Sequence, residues 1–535
     1  MTVAPSLGRQ GSELSTAPPV TAGRSVTSSA SESSPGERWP FATVSVGVVA
    51  LVFALVCVLT TGRYGYFGDE LYFLAAGHHP AFGYADQPPG VPLLARAMQS
   101  LFPDSLVALR APSLLAAVGY LVLTALSARE LGANRVTQVC AAGVAALAPH
   151  LIASAHLLVT YSFDQTLWAC VVWLLLRAAR REHRGQPANG PLLAAGLVTA
   201  VAVQFKLLIP VLWLVAVPMA MLFGPRRLVL RPGLWLGGLL AVLSAAPGLW
   251  WQARNDWPQL AMARVVDGET TGGVRAFLNA SSHQLGPVGT VLVLIGLCGL
   301  LVTPALRPHR FLGVTVVVIT VLFVVVSGRS YYTAGLYAVL LGAGAVVAQL
   351  WWTALGKYRR QWPRWAAAAV AMACCLFTGL PPAVGTLPLT PAPRVNPHNV
   401  VARASLAWPS ITEQVARVYR ALPRDGTETA VITRDYWSAG ALHHFGPRYG
   451  IPEVHSTSRG FWYLSRPDDA VRRVVYLGGE RERLRELFGR VRAVDSVETD
   501  PALPTYYDGM RIWVLEDPKL PWSRLWPRMH HMSLW

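Results

Sequence analysis

Directly after the first long apolar segment of the chain stand two adjacent acids, Asp69 and Glu70. A carboxylate held where a helix leaves the bilayer can take the proton of an attacking hydroxyl, which is general-base chemistry. The plainer alternative is a solvated helix end, because acids are costly only deeper in the membrane. The residues that follow raise the polar density: Tyr72, His79, Tyr84, Asp86 and Gln87 precede the rigid pair Pro88 and Pro89. Asp164 sits near a helix start inside an apolar stretch, where the helix dipole favours an acid and Ser162 can cap. Such an acid stays ionised and can bind a hydroxyl, a cation or a partner base. Two cations complete the set. Lys206, between Phe205 and Leu207, either snorkels to the interface or meets a phosphate. Arg329, followed by Tyr331 and Tyr332, is the better anion clamp, because a guanidinium chelates phosphate through two parallel bonds.

The elements that must position these residues are membrane helices. The chain has 535 residues, of which 53% are hydrophobic and only 14% charged, whereas a soluble domain carries about 25% charge. The net charge of +17 lies largely in short loops between apolar runs, where it sets topology; this placement argues against nucleic acid as a partner. Apolar runs at 41–61, 106–127, 136–157, 162–180, 191–205, 207–223, 233–251, 287–305, 311–327, 332–352 and 365–382 predict about eleven transmembrane helices. Two of the splits rest on charge. Arg177–Arg184 precedes the run 191–223 and Arg226–Arg227 follows it; both clusters belong to the cytoplasmic side, so the chain crosses twice between them, with Lys206 at the outer turn. The same alternation divides 136–180 at Thr160–Asp164 and continues through Arg307–Arg310 and Lys357–Arg360. Asp69, Asp164, Lys206, the 252–286 loop and Arg329 then share the outer face.

The flanks differ in composition. Residues 1–40 are rich in Ser, Thr, Pro, Gly and Ala and read as a disordered cytoplasmic tail. The first apolar run reads as an uncleaved anchor rather than a signal peptide. An amphipathic run follows Glu70, and a second, Val91–Phe102, suits the plane of the headgroups. Residues 41–388 read as the membrane domain and 389–535 as a small extracytoplasmic α/β domain. In the latter, Ala430–Thr433, Arg473–Leu477 and Arg511–Leu515 are predicted strands, and Ser438–Phe445 and Glu480–Val491 predicted helices. Arg434–Trp437 and Arg459–Tyr463 combine charge with aromatic rings, which suits polar ligands as well as an ordinary domain surface. All six cysteines lie in apolar runs, and no CxxC pair or His/Cys cluster marks zinc or redox chemistry. A phosphate-binding Gly-rich loop is also lacking, which points away from a nucleotide sugar held in a Rossmann-type site.

The segment Gly68-Asp-Glu-Leu-Tyr72 with His79-Pro-Ala-Phe-Gly-Tyr-Ala-Asp-Gln-Pro-Pro89 resembles the first external loop of GT-C membrane glycosyltransferases. The nearest set comprises the protein O-mannosyltransferases and aminoarabinose-lipid A transferases. Tyr161–Gln165, Phe205-Lys206, Pro247–Pro258 and Arg329–Tyr332 resemble later segments of that family in the same order. The resemblance covers residues 41–350 and implies a GT-C-like, all-α polytopic membrane protein of the plasma membrane. It also implies a polyprenyl-phosphate sugar donor and an acceptor hydroxyl on an envelope lipid, glycan or protein. By carry-over Asp69 is the catalytic residue, with Glu70 and Asp164 beside it. His79, Tyr84, Asp86, Gln87, Lys206, Arg329 and Tyr332 fall to substrate binding. His78 and His79 stand where the family leads one to expect a single histidine. No His/Glu cluster demands a metal, and a divalent cation is left open. The rival classes are a secondary transporter, which would show mid-membrane polar breaks in related halves, and an envelope scaffold, which needs no polar loop after its first span.

Overall fold

A computed structural model describes residues 39–270, 272–356, 362–391, 394, 399–423, 425–503 and 505–534. The expected tail over residues 1–38 and the basic cluster 357–360 lie outside the described residues. Every predicted apolar run coincides with a helix, but their lengths differ. Seven helical segments are long and apolar enough to cross a membrane, and eight if the bent pair Arg135–Ala146 and Pro149–Ala155, 69° apart, is one span. Three runs fall outside that set. Thr160–His183 ends in a cluster of basic residues, and Asn189–Ala202 and Ile209–Phe223 are only 14 and 15 residues long. At 1.5 Å per residue these two cover about 21–23 Å, short of a hydrocarbon core of about 30 Å. The chain is thus a multi-pass membrane protein, and helix length alone accounts for fewer crossings than the hydropathy runs did. Of the two breaks argued from charge, the first is present, one helix ending at Ala202 and the next starting at Ile209; the second lies earlier than expected, at 156–159, and Thr160–Asp164 is the opening turn of the next helix.

The acid pair opens the helix Gly68–His78. Glu70 sits three residues beyond the N-cap, and its Oε2 accepts the Phe67 backbone N–H at 2.8 Å, satisfying an N–H that the helix itself leaves unpaired. The sequence suggested an amphipathic helix at the headgroups. Instead all of its residues except Asp69 and His78 are buried, because a second element covers it. That element is the helix Tyr436–Phe445 of the C-terminal α/β unit. Glycines allow the approach: a Cβ on Gly440 would lie 2.7 Å from the Leu71 backbone carbon, and one on Gly68 would lie 2.3 Å from the Trp437 ring. On its other side the acid helix meets Gly90–Leu101, whose Val91, Pro92 and Ala95 are buried while Leu93 and Leu101 stay exposed. This second helix keeps the apolar exposed face of an interfacial segment.

The C-terminal unit is built on a five-stranded mixed sheet. Its strands are β1 (Thr429–Thr433), β2 (Val454–Ser456), β3 (Arg473–Leu477), β4 (Phe488–Ser496) and β5 (Arg511–Pro518), in the order β2-β1-β3-β5-β4. β1 pairs in parallel with β2 and β3, and β5 runs antiparallel to β3 and β4. The three predicted strands are present. Glu480–Val491, predicted as one helix, is helical only over Arg481–Leu487; Phe488–Val491 belongs to β4. Pairing of β4 with β5 outweighs local helix preference there. In open α/β sheets ligands meet the carboxyl ends of parallel strands. Here those ends lead, through Thr433 and Ser456, into Tyr436 and Arg459.

Candidate active site

Asp69 occupies the N-terminal turn of its helix and reaches toward the C-terminal unit. Its Oδ1 accepts hydrogen bonds from Tyr436 Oη at 2.8 Å and Trp437 Nε1 at 2.7 Å. Oδ2 accepts none among the described residues, so one oxygen is oriented and the other is available. Burial and the Asp69 charge push the Tyr436 phenol well above its ordinary pKa, so it donates rather than ionises. Tyr436 is held in turn by a capped helix: Asp435 Oδ1 accepts the Ser438 N–H at 2.9 Å and the Tyr507 hydroxyl at 2.7 Å.

Glu70 points elsewhere, as adjacent residues on a helix must. It is fully buried, forms a two-pronged pair with Arg110 (Nε to Oε1 2.8 Å, Nη2 to Oε2 2.7 Å) and accepts the Leu158 N–H at 2.8 Å. Arg110 also donates to the Thr61 and Gly65 carbonyls. The network ties the acid helix to the first span, to the helix Leu106–Glu130 and to the break before Thr160. Arg110 lay unremarked in the sequence because a lone arginine at a helix start carries no signal of its partner.

Asp86 accepts the Tyr72 hydroxyl at 2.8 Å, and burial pushes its carboxyl up to about 6. The Tyr72 and Tyr436 rings are 5.1 Å apart, which joins Asp86 to the Asp69 side. Next to it opens a cavity of about 1110 Å³, walled by apolar side chains such as Leu214, Val217, Leu234, Val242 and Leu249. Asp86, Gln87, Lys206 and Tyr332 are among the polar residues of its wall. Lys206 Nζ has no hydrogen-bond partner among the described residues and sits over the rings of Tyr331 and Tyr332, at 4.7 and 4.4 Å. A buried ammonium over π-clouds without a hydrogen-bond acceptor among the described residues is under-satisfied, with the Asp164 carboxylate within its electrostatic reach. Asp164, 4% exposed, likewise has Oδ1 unpartnered among the described residues.

Asp69, Glu70, Asp164 and Arg329 are not on the cavity wall. Asp69 and Asp164 nevertheless both lie within electrostatic reach of Tyr331, the neighbour of Lys206. Arg329 pairs with Glu269 at 2.6 Å rather than with Asp164. His79 is exposed, and Tyr84 is consumed in structure: its hydroxyl donates to the Ala76 and His79 carbonyls at 3.0 Å, and its carbonyl accepts Gln252 Nε2 at 2.8 Å. Neither lines the cavity. Tyr436, Trp437 and Arg459 came from segments whose sequence already paired charge with rings, but nothing local linked them to Asp69. Glu269 and His150, whose ring lies 5.3 Å from that of Tyr161, gave no signal. Among the described residues no three His, Cys, Asp or Glu side chains group as a metal site.

Between the acid helix and Tyr436–Phe445 lies a histidine cluster, with the His78 and His443 rings 5.4 Å apart. Burial, with His78, His79 and His444 adding to it, lowers the His443 pKa to about 4. The folded state therefore binds this proton less readily than the unfolded chain does. Stability is full above about pH 6.5 and falls as pH drops toward 4. Thermal melts over that range should show a steady loss that His443→Gln flattens; a parent whose melting point holds to pH 4 would contradict this.

Residues 86–251 match a family model described as dolichyl-phosphate-mannose-protein mannosyltransferase. No curated protein sequence matches the chain. Among solved structures it is similar to ArnT from Cupriavidus metallidurans bound to undecaprenyl phosphate, at 17% identity over 88% of this chain and 97% of that one, TM-score 0.52. It is also similar to the Archaeoglobus fulgidus oligosaccharyltransferase tethered to an acceptor peptide, at 12% identity over 80% of this chain and 68% of that one, TM-score 0.50. A third similarity is to the mycobacterial arabinofuranosyltransferase AftD, at 13% identity over 91% of this chain but only 40% of that one, TM-score 0.52. Helices long enough to span, a short acid-bearing helix beside them and the shared architecture agree: this is a multi-pass membrane protein with the GT-C fold.

Proposed function

We propose that the protein transfers a sugar from a polyprenyl-phosphate carrier to a hydroxyl of an envelope acceptor, at the outer face of the plasma membrane. The observation that carries this reading is the cavity: about 1110 Å³, beyond the ordinary 300–1,000 Å³ of small-molecule sites, largely apolar and lined by Lys206, whose Nζ has no hydrogen-bond partner among the described residues. A long hydrocarbon chain with an anionic head fits that polarity. The undecaprenyl phosphate named for ArnT and the dolichyl phosphate named for the family model point the same way.

In this mechanism Asp69 Oδ2 takes the proton of the acceptor hydroxyl while its oxygen bonds to the anomeric carbon. The bond from that carbon to the phosphate oxygen breaks, and the electron pair stays on the phosphate. The leaving group is an anion, so nearby positive charge helps it more than a proton donor would. Lys206 and Arg329 supply that charge, Glu70 positions the acid helix, and Asp164 supports the lysine. The sugar, hexose or pentose, and the acceptor are set by contacts outside this scheme.

The test is turnover by purified protein in nanodiscs with a panel of polyprenyl-phosphate sugars, nucleotide sugars serving as the control. Lys206→Met should raise the donor KM and slow transfer, at a cost of about 1.5–3 kcal/mol for one charge-assisted contact. Use of a nucleotide sugar without lipid carrier would end the proposal. Tyr436→Phe removes one of the two donors that orient the Asp69 carboxylate. It should lower kcat while leaving undecaprenyl phosphate binding as in the parent; an unchanged kcat would detach Tyr436 from Asp69 function.

A further inference from the structure

Glu269 carries an arrangement that the scheme above does not use. Its carboxylate is shared by two guanidiniums: Arg329 Nη2 holds Oε2 and Arg459 Nη2 holds Oε1, both at 2.6 Å. The two arginines come from distant elements, one from the turn before Tyr331 and one from the C-terminal unit at the end of β2. We infer that Arg329 and Arg459 together form an anion seat for the phosphate of the lipid donor, and that Glu269 is its internal competitor, displaced when the phosphate arrives. This deepens the donor reading and rests on it.

Three observations favour a seat over a simple surface ion pair. First, Arg459 is fixed without Glu269. Its Nε donates to the Met532 carbonyl at 2.8 Å and its backbone N–H to the His531 carbonyl at 2.8 Å. The fork therefore keeps its aim if the carboxylate leaves. Second, that aim costs strain. Arg459 has φ 44°, a left-handed conformation that is strained for a non-glycine residue and that concentrates at functional sites. The next residue wedges the turn against the acid side: a Cβ on Gly460 would lie 2.0 Å from Tyr72 Oη and 2.6 Å from Asp86 Oδ1. Third, Glu269 is weakly held. It is 35% exposed, and it ends the helix Pro258–Glu269, in which only Pro258 is buried. Arg459, held by its own bonds, and Arg329 beside it thus face one loosely anchored anion.

Charge supplies the direction of the exchange. Two guanidiniums over one carboxylate leave a net positive charge. A sugar phosphodiester brings one negative charge, and the phosphate monoester left after transfer carries close to two. Without Glu269 the seat matches the product anion better than it matches the donor, which is how binding energy accelerates a step.

The experiment is equilibrium binding of undecaprenyl phosphate to the full-length protein in nanodiscs, for the parent, Glu269→Gln, Arg459→Gln, the double variant and Lys206→Met, each first shown to melt as the parent does. Glu269→Gln should bind about tenfold more tightly and Arg459→Gln about tenfold more weakly, each equal to 1.4 kcal/mol. The gain from Glu269→Gln should shrink when Arg459 is also replaced, because the competitor acts through that arginine. Arg459→Lys, which keeps the charge but loses the fork, should fall between. If Lys206→Met weakens binding while the Glu269 and Arg459 variants match the parent, the donor reading stands and the seat is refuted. Weaker binding by Glu269→Gln would make Glu269 a support for the arginines and would equally refute it. No binding by any protein would overturn both.

Discussion

Replacing Asp69 with asparagine is expected to abolish sugar transfer while the protein stays assembled in the membrane. The substitution keeps the side chain's size and its Oδ1 acceptor, so Tyr436 and Trp437 retain a partner at 2.8 and 2.7 Å. What disappears is the basic oxygen proposed to take the proton. Loss of a positioned general base costs about 10²–10⁴ in rate, the largest kinetic effect predicted for any single side chain here. Donor binding should survive, because Asp69 is not on the cavity wall. The measurement is single-turnover transfer alongside undecaprenyl phosphate binding. A variant that turns over near the parental rate would remove Asp69 from the chemistry.

The largest effect on stability is expected from Arg110→Met. Glu70 is fully buried, and Arg110 is the cation that meets both of its oxygens, beside the Phe67 and Leu158 N–H groups. Removing one partner of a buried ion pair leaves an uncompensated charge and costs about 3–5 kcal/mol, and here it also strips the Thr61 and Gly65 carbonyls of a donor. The variant should give little assembled protein or a markedly lower melting point. Adding Glu70→Leu removes the stranded charge and should restore part of the loss, since a hydrophobic replacement of a buried pair is often tolerated. If Arg110→Met melts like the parent, the pair does not hold the acid helix in place.

Most of the helical framework was legible, because a membrane span announces itself by apolar length and a loop by its basic residues. The breaks at Lys206 and before Asp164 followed from charge alternation and are present as a helix end at Ala202 and a gap between Ala155 and Thr160. Span number was less legible. Hydropathy marks an apolar run, but a helix of 14 or 15 residues satisfies it as readily as one of 25. In the site, Lys206, Asp86, Gln87 and Tyr332 all line one cavity. Asp69 and Glu70 looked like one feature and are two, since consecutive helical positions face different neighbours. His79 and Tyr84 shared the polar density of that loop, yet one stays in solvent and the other braces the backbone. The partners of Asp69 and Arg329 were beyond reach for a different reason. Tyr436, Trp437, Arg459 and Glu269 are brought in by tertiary packing across long stretches of chain, and no local pattern encodes who meets whom.

The bond from Tyr436 to Asp69 spans 367 positions of sequence, and that distance is also an interval of time. A ribosome adds about 5–20 residues each second, so roughly 20–70 s pass between synthesis of the acid and synthesis of the groups that orient it. Throughout that interval the nascent chain carries a carboxylate without its two donors and an acid helix without its cover. A prematurely ended product that lacks Tyr436 and Trp437 would carry the acid helix but would not assemble the contacts that orient Asp69.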